Sequence, residues 1–169
     1  MTSIAQSYIQ ALQLQPHPEG GFFRESYRSE QTMQAPAPGG GSVQRNVCTA
    51  IYFLLEAGNF SAFHRIKSDE IWHFYAGQAL EVLELLPDGE LCCTRLGSDI
   101  LRGEIPQYVV PADTWFASRV VDGGTFSLVG CTVAPGFDFA DFQLARRQEL
   151  LEIFPQHRQI ITELTRRGG

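Results

Sequence analysis

The chain has 169 residues, of which 44% are hydrophobic and 19% charged, and its formal net charge is −6. That size and balance suit one ordinary globular domain, residues 1–169, with a full core. The acidic balance argues against a nucleic-acid partner, which needs clustered Lys and Arg, and no segment approaches the ~20 apolar residues that cross a bilayer.

Thr2 to Gln13 opens with a Ser/Thr cap and sets Ile4, Tyr8, Ile9 and Leu12 on one face, the pattern of an amphipathic helix. The segment Gln15 to Gly21 (Q-P-H-P-E-G-G) stops it and forms a rigid loop. Phe22 to Arg28 predicts a strand, with Phe23, Glu25 and Tyr27 on one face and Phe22, Arg24 and Ser26 on the other. Gln31 to Ser42 carries two prolines and three consecutive glycines, which predicts a mobile loop.

Val47 to Leu55 is nearly all apolar and suits a strand buried on both faces. From Gly58 to Gly77 the chain reads as two short strands joined by a polar turn at Lys67-Ser68-Asp69. Period-two alternation puts His64 and Ile66 on one face of the first strand. It puts Glu70, Trp72 and Phe74 together on the second, and turns His73 away from Glu70. Further strands follow at Leu80 to Leu86, Leu91 to Leu96, Gln107 to Val110, Trp115 to Val121 and Thr125 to Val133. Turn residues such as Pro87-Asp88-Gly89 and Asp122-Gly123-Gly124 separate them. Short strands at near-regular spacing argue for an all-β sandwich or barrel, roughly residues 22–134. Past Pro135-Gly136 helical spacing returns in Phe142 to Ile153 and Gln156 to Arg167, two helices that would pack outside the barrel or near a partner subunit.

The spacing of Gly58, His64, Ile66, Glu70 and Gly77 resembles the first sequence motif of the cupins. Three longer phrases extend the likeness: His17 to Arg28, Thr49 to Leu55 and Ser68 to Gly77. Together they are similar to a cupin subfamily of unknown function whose members are often called predicted sugar epimerases. The resemblance covers roughly Ile4 to Phe139. It implies a double-stranded β-helix, the cupin jelly-roll barrel, with an N-terminal helix, C-terminal helices and one central pocket. It also implies a homodimer, and closed two-fold pairs are in any case the commonest oligomers.

Metal-binding cupins use two His and one Glu from the first motif and one His from the second. This chain keeps His64 and Glu70, but Ile66 stands at the second histidine position. The second motif falls on Pro111 to Phe116, with Asp113 where Gly is usual and Phe116 where the last histidine would be. A transition metal needs about three protein ligands, so no cofactor is expected, although His17 or His73 could add a donor beside His64 and Glu70.

The pocket survives without a metal. A barrel of this size holds about one small ligand, and Ile66, Trp72, Phe74 and Phe116 would form its apolar lining. A buried carboxylate needs a partner, and His64 is the candidate for Glu70. Such a pair can serve as a tuned general base beside a sugar carbonyl. Epimerases of the cupin superfamily combine a His base with a Tyr acid, which points to His64, Glu70 and a tyrosine. Tyr27, Tyr52, Tyr75 and Tyr108 all qualify, with Tyr27 preferred for its nearness to Glu25. The bland alternative is an inherited polar pair with no chemistry. Likewise the 17–21 loop is either a simple turn or a pocket lid whose His17 and Glu19, with Arg24 and Glu25 nearby, grip a polar ligand end.

Four cysteines (Cys48, Cys92, Cys93, Cys131) lack metal-type spacing, and adjacent Cys92 and Cys93 would face opposite ways. With no secretory leader visible, they read as reduced thiols of a cytoplasmic protein. The functional expectation is a small-molecule-binding cupin acting as a metal-independent epimerase or isomerase of a carbohydrate or nucleotide sugar. A non-catalytic carrier or sensor and a metal-dependent isomerase or oxygenase are the alternatives.

Overall fold

A computed structural model describes residues 1–168. Helix α1 (Ile4–Ala11) is capped by the Ser3 hydroxyl, which accepts from the Gln6 amide at 3.1 Å. Thirteen strands follow. They are β1 (Gln15–Pro16), β2 (Phe22–Arg28), β3 (Thr32–Pro36), β4 (Ser42–Asn46), β5 (Thr49–Glu56), β6 (Phe60–Arg65) and β7 (Asp69–Gly77). The rest are β8 (Leu80–Leu85), β9 (Leu91–Leu96), β10 (Gln107–Val110), β11 (Trp115–Val120), β12 (Phe126–Ala134) and β13 (Gln143–Leu144). Short helices α2 (Arg147–Ile153) and α3 (Arg158–Glu163) close the chain.

Two antiparallel sheets face each other, one in the order β1-β2-β5-β12-β7-β10 and the other β13-β6-β11-β8-β9. Every second residue enters the space between them, as the pleat requires. β5 sends Phe53 and Leu55 inward, while Leu54 on the opposite face is sealed under Ala5 and the other apolar residues of α1. Both faces of β5 are therefore covered, as its apolar run predicts. On β8, Leu80 and Val82 point inward, and Leu83 and Leu85 pack beneath α2 and α3.

The Gly58 to Gly77 stretch crosses between sheets. β6 lies in one sheet and β7 in the other, so residues 66–68 are a corner, not a hairpin turn. Gly77 takes φ 89°, and a Cβ there would overlap the Phe126 carbonyl. Asp113 holds φ 62°, a left-handed conformation that favours glycine, which explains how Asp can stand where that motif usually has Gly. Its carboxylate takes a 2.9 Å contact from Lys67 Nζ and ties the corner down.

Three local expectations change. Residues 31–42 are no loop: β3 and β4 form a hairpin, with the prolines and glycines confined to its end and tip. Residues 142–146 are not helical, because β13 adds to the edge of β6 and pairs Leu144 with His64. The third change follows from a bulge in β2. Glu25 pairs with Ile51 but Tyr27 pairs with Ala50, so the strand reverses its faces between them.

Candidate functional site

A cavity of about 270 Å³ opens at one end of the space between the sheets. β7 contributes Glu70 and Trp72, β12 contributes Cys131 and Val133, and β6 contributes His64. The 17–21 loop adds His17 and Glu19, and the 137–142 segment closes one side with Phe137, Phe139 and Phe142. The loop lies tight against β6: Gly20 takes φ 115°, and a Cβ there would overlap the Phe60 carbonyl. The Ala62 amide donates to the Glu19 carbonyl at 3.0 Å. Arg166, from the C-terminal segment, donates to the carbonyls of Phe60 (2.8 Å) and Glu19 (3.2 Å), and so staples the loop to that strand.

The β2 bulge decides which residues of that strand reach the cavity. Phe23 and Glu25 line it, and after the face reversal Arg28 lines it in place of Tyr27. Tyr27 instead stands 55% exposed on the outer face. Arg24 also points outward and donates to the Leu12 carbonyl at the end of α1. Tyr108 donates to the buried Glu84 carboxylate away from the cavity. Among the described residues no tyrosine lines the cavity, so the Tyr acid, and Tyr27 in particular, is corrected.

Phe74 and Phe116 are corrected too. Both belong to the packed core beyond Trp72 rather than to the cavity wall. Phe116 supports the site from behind, its ring 4.2 Å from the His64 ring. Ile66 and Trp72 do line the cavity. His73 faces outward, as alternation requires, against Thr132 and Gln107.

His64 does not pair with Glu70. Its Nε2 lies 3.0 Å from Glu19 Oε2, and its Nδ1 is 2.7 Å from the Ala62 carbonyl. A carbonyl only accepts, so Nδ1 carries the proton and the neutral ring presents a bare Nε2 to Glu19. The carboxyl then holds the shared proton. Burial enforces this: it pushes His64 down to about 3, partly opposed by the Ala62 bond. Burial also lifts Glu19 well above the usual carboxylate range, and the nearby Glu70 charge lifts it further. His17 is neutral on geometry as well, since its Nδ1 accepts the Glu19 amide at 3.2 Å; burial pushes it down to about 4.

Glu70 is the exposed nerve of this arrangement. Its side chain is buried, yet Oε2 has no hydrogen-bond partner within the protein. Burial raises it to about 7, with the Cys131 thiol offsetting part of the rise. An uncompensated polar atom in such surroundings costs about 1–3 kcal/mol, and proteins tolerate that cost mainly where a group has work to do.

At the mouth, Arg28 grips Glu25 at 2.6 Å and also donates to the Phe137 carbonyl and Asn46. Arg45 forks onto Asp141 at 2.8 and 2.9 Å. Arg28 and Arg45 gave no sign of these roles in the sequence, because the first depends on a bulge and the second on a hairpin. Cys131 was hidden differently: its strand is apolar on both faces, so alternation could not say which side was inside.

The residues present do not fit a metal ion. Ile66 and Phe116 offer no donor. Among the described residues no three His, Cys, Asp or Glu side chains come together to hold one.

Comparison with known proteins agrees with this architecture. A family described as "Cupin superfamily (DUF985)" matches residues 6–145. The chain is 35% identical over 160 residues to an uncharacterized protein of Saccharomyces cerevisiae, covering 89% of this chain and 79% of the relative. It is similar to a crystal structure from Shewanella oneidensis at 44% identity and TM-score 0.85, covering 96% of this chain and 97% of that one. A hypothetical protein from Leishmania major is similar at 35% identity and TM-score 0.87, with coverage of 96% and 99%.

Proposed function

The chain belongs to the DUF985 family of the cupin superfamily, and we propose that it binds a small organic molecule in the cavity and moves a proton on it. The reaction class is a metal-independent isomerisation or epimerisation next to a carbonyl. The observation that carries this reading is the buried Glu70 carboxylate at the cavity wall, whose Oε2 has no protein partner, opposed by the proton-sharing Glu19–His64 pair.

Each group has a role set by its surroundings. A general base works best with a pKa near the operating pH, and burial holds Glu70 at about 7. Ionised, Glu70 accepts the proton from the carbon beside the ligand carbonyl. Glu19, kept protonated by burial, turns its proton from His64 Nε2 to the carbonyl oxygen as negative charge develops there. His64 orients that proton and stays neutral, so it is a positioning residue rather than the base. Two carboxyl groups with environments that separate their proton affinities form an acid and a base.

A non-catalytic carrier using the same cavity is the second reading. It is favoured by the lack of a cavity tyrosine among the described residues. The four free cysteines support a reducing, cytoplasmic setting, and a two-fold homodimer is the assembly we propose with either reading.

Proton NMR in heavy water separates the two. A panel of enolisable carbonyl compounds should lose α-proton signal in the presence of the protein, and Glu70→Gln should slow that loss by about 10²-fold or more. Saturable binding with no wash-out in any member of the panel would leave the carrier.

A further inference from the structure

We infer that the cavity takes an uncharged, flat, ring-bearing carbonyl compound rather than a phosphorylated or nucleotide-linked one. The ligand class rests on the binding reading above and is independent of whether a proton moves. Its first support is charge. Recognition of a phosphate needs a cation or a set of donors left free for it. The cationic side chain lining the cavity, Arg28, is clamped by Glu25 at 2.6 Å and has further donors engaged by Asn46 and Phe137. Arg45, next to the mouth, is held by the Asp141 fork and has Asp138 at 3.9 Å. His17 accepts an amide proton at Nδ1 and is therefore neutral, and His64 together with Glu19 forms a pair with no net positive charge. Glu70 and Asp138 remain on the lining. Positive charge is fully answered within the protein, and the surplus is acidic.

The second support is shape and polarity. Phe23, Phe53, Trp72, Phe137, Phe139 and Phe142 line the cavity, and aromatic walls hold flat rings by stacked and edge contacts. Against them stand two buried polar atoms without a protein partner, Glu70 Oε2 and Trp72 Nε1. These can serve one or two polar ligand atoms, such as a carbonyl oxygen, but not the many hydroxyls of a sugar. The cavity's 270 Å³ lies at the small end of the ~300–1,000 Å³ usual for ligand pockets. A fused two-ring ketone fits that space, whereas a nucleotide-linked sugar would have to extend out through the mouth.

The test uses the full chain carrying Trp115→Phe, which leaves Trp72 as its one tryptophan. Its emission is followed while 1-indanone, 1-tetralone, UDP-glucose and inorganic phosphate are titrated separately, with calorimetry in parallel. The two uncharged ring compounds should quench saturably and bind at least ~10-fold more tightly than UDP-glucose, with no response to phosphate. Val133→Trp, which fills the cavity, should abolish the response. Phe139→Ala, at a half-exposed rim position, should weaken it by about 3- to 10-fold without a folding risk. Tighter binding of UDP-glucose or phosphate, or no saturation by either ring compound, overturns the inference. Indanone binding without deuterium exchange sinks only the proposed chemistry. Exchange into a phosphorylated sugar without indanone binding sinks only the ligand class.

Discussion

The two ends of the barrel share strands β5 and β12 and yet obey different rules. At the closed end, Leu55, Leu80, Val82, Leu96, Val120 and Val129 meet in one buried cluster with no ionisable group among them. At the open end, β5 and β12 put Thr49 and Cys131 at inward positions, joined by Glu70 of β7, His64 and Glu19. One step of two residues along β12, from Val129 to Cys131, separates packing from chemistry. The closed end gains free energy from every side chain, while the open end carries buried atoms whose partners the protein does not supply. Stability is thus concentrated away from the site, which leaves the site free to be costly.

The largest effect should come from breaking the closed end. Leu55→Ala removes a side chain with no solvent exposure, and about 2–5 kcal/mol of unfolding free energy should be lost in a urea titration. A loss below ~1 kcal/mol would mean that the closed end is not the packed half.

The open end should respond in the opposite direction. Below its unfolded value near 4.5, Glu70 is protonated in both folded and unfolded chains. As pH rises toward its folded value of about 7, the unfolded chain releases the proton first, so the fold loses stability across that window. Glu70→Gln removes this loss, which amounts to roughly 1 kcal/mol per pH unit between the two values. The variant should match the parent at pH 4.5 and exceed it by about 2–3 kcal/mol at pH 8. The buried histidines act with the reverse sign: their folded values of about 4 and about 3 mean that stability falls as pH drops below 6.5. That slope should be present in both proteins, so the difference between them reports Glu70 together with the part of the Glu19 rise that Glu70 causes. Equal stability at pH 8 would show that the carboxylate is not stranded.

The smallest effect tests what holds the open end in shape. Arg166→Met removes two carbonyl contacts and one to Asn59, and should cost about 1–2 kcal/mol. Hydrogen exchange should quicken at the Ala62 amide, which donates to Glu19, while the closed-end amides of β8 keep their protection. Uniform change across both ends would contradict a local staple.

Much of the barrel was legible from residue order. Strands β5 to β12 fall within a residue or two of the expected spans, because alternating apolar residues and Gly-bearing turns act locally. The family resemblance and the fold agree: the cupin family matches residues 6–145, and those residues build the two facing sheets. Residues 31–42 were misread because proline and glycine at a hairpin tip look the same as in a loop. The 142–146 segment was misread because pairing with β6 overrode helical spacing.

The site was legible in part, and the division has a physical cause. Sequence by itself determined that His64, Glu70, Ile66 and Trp72 share the barrel interior, since period-two alternation fixes a face within each strand. It also brought out His17, Glu19 and Glu25. Which carboxylate meets which imidazole was decided only by the tertiary structure: Glu19 reaches His64 across 45 positions of chain, and Glu70 Oε2 is left without a protein partner. The same is true of the exchange of Tyr27 for Arg28. One extra residue in β2 costs nothing in local pattern, yet it reverses every face beyond it, and only the pairing with β5 records where the bulge falls.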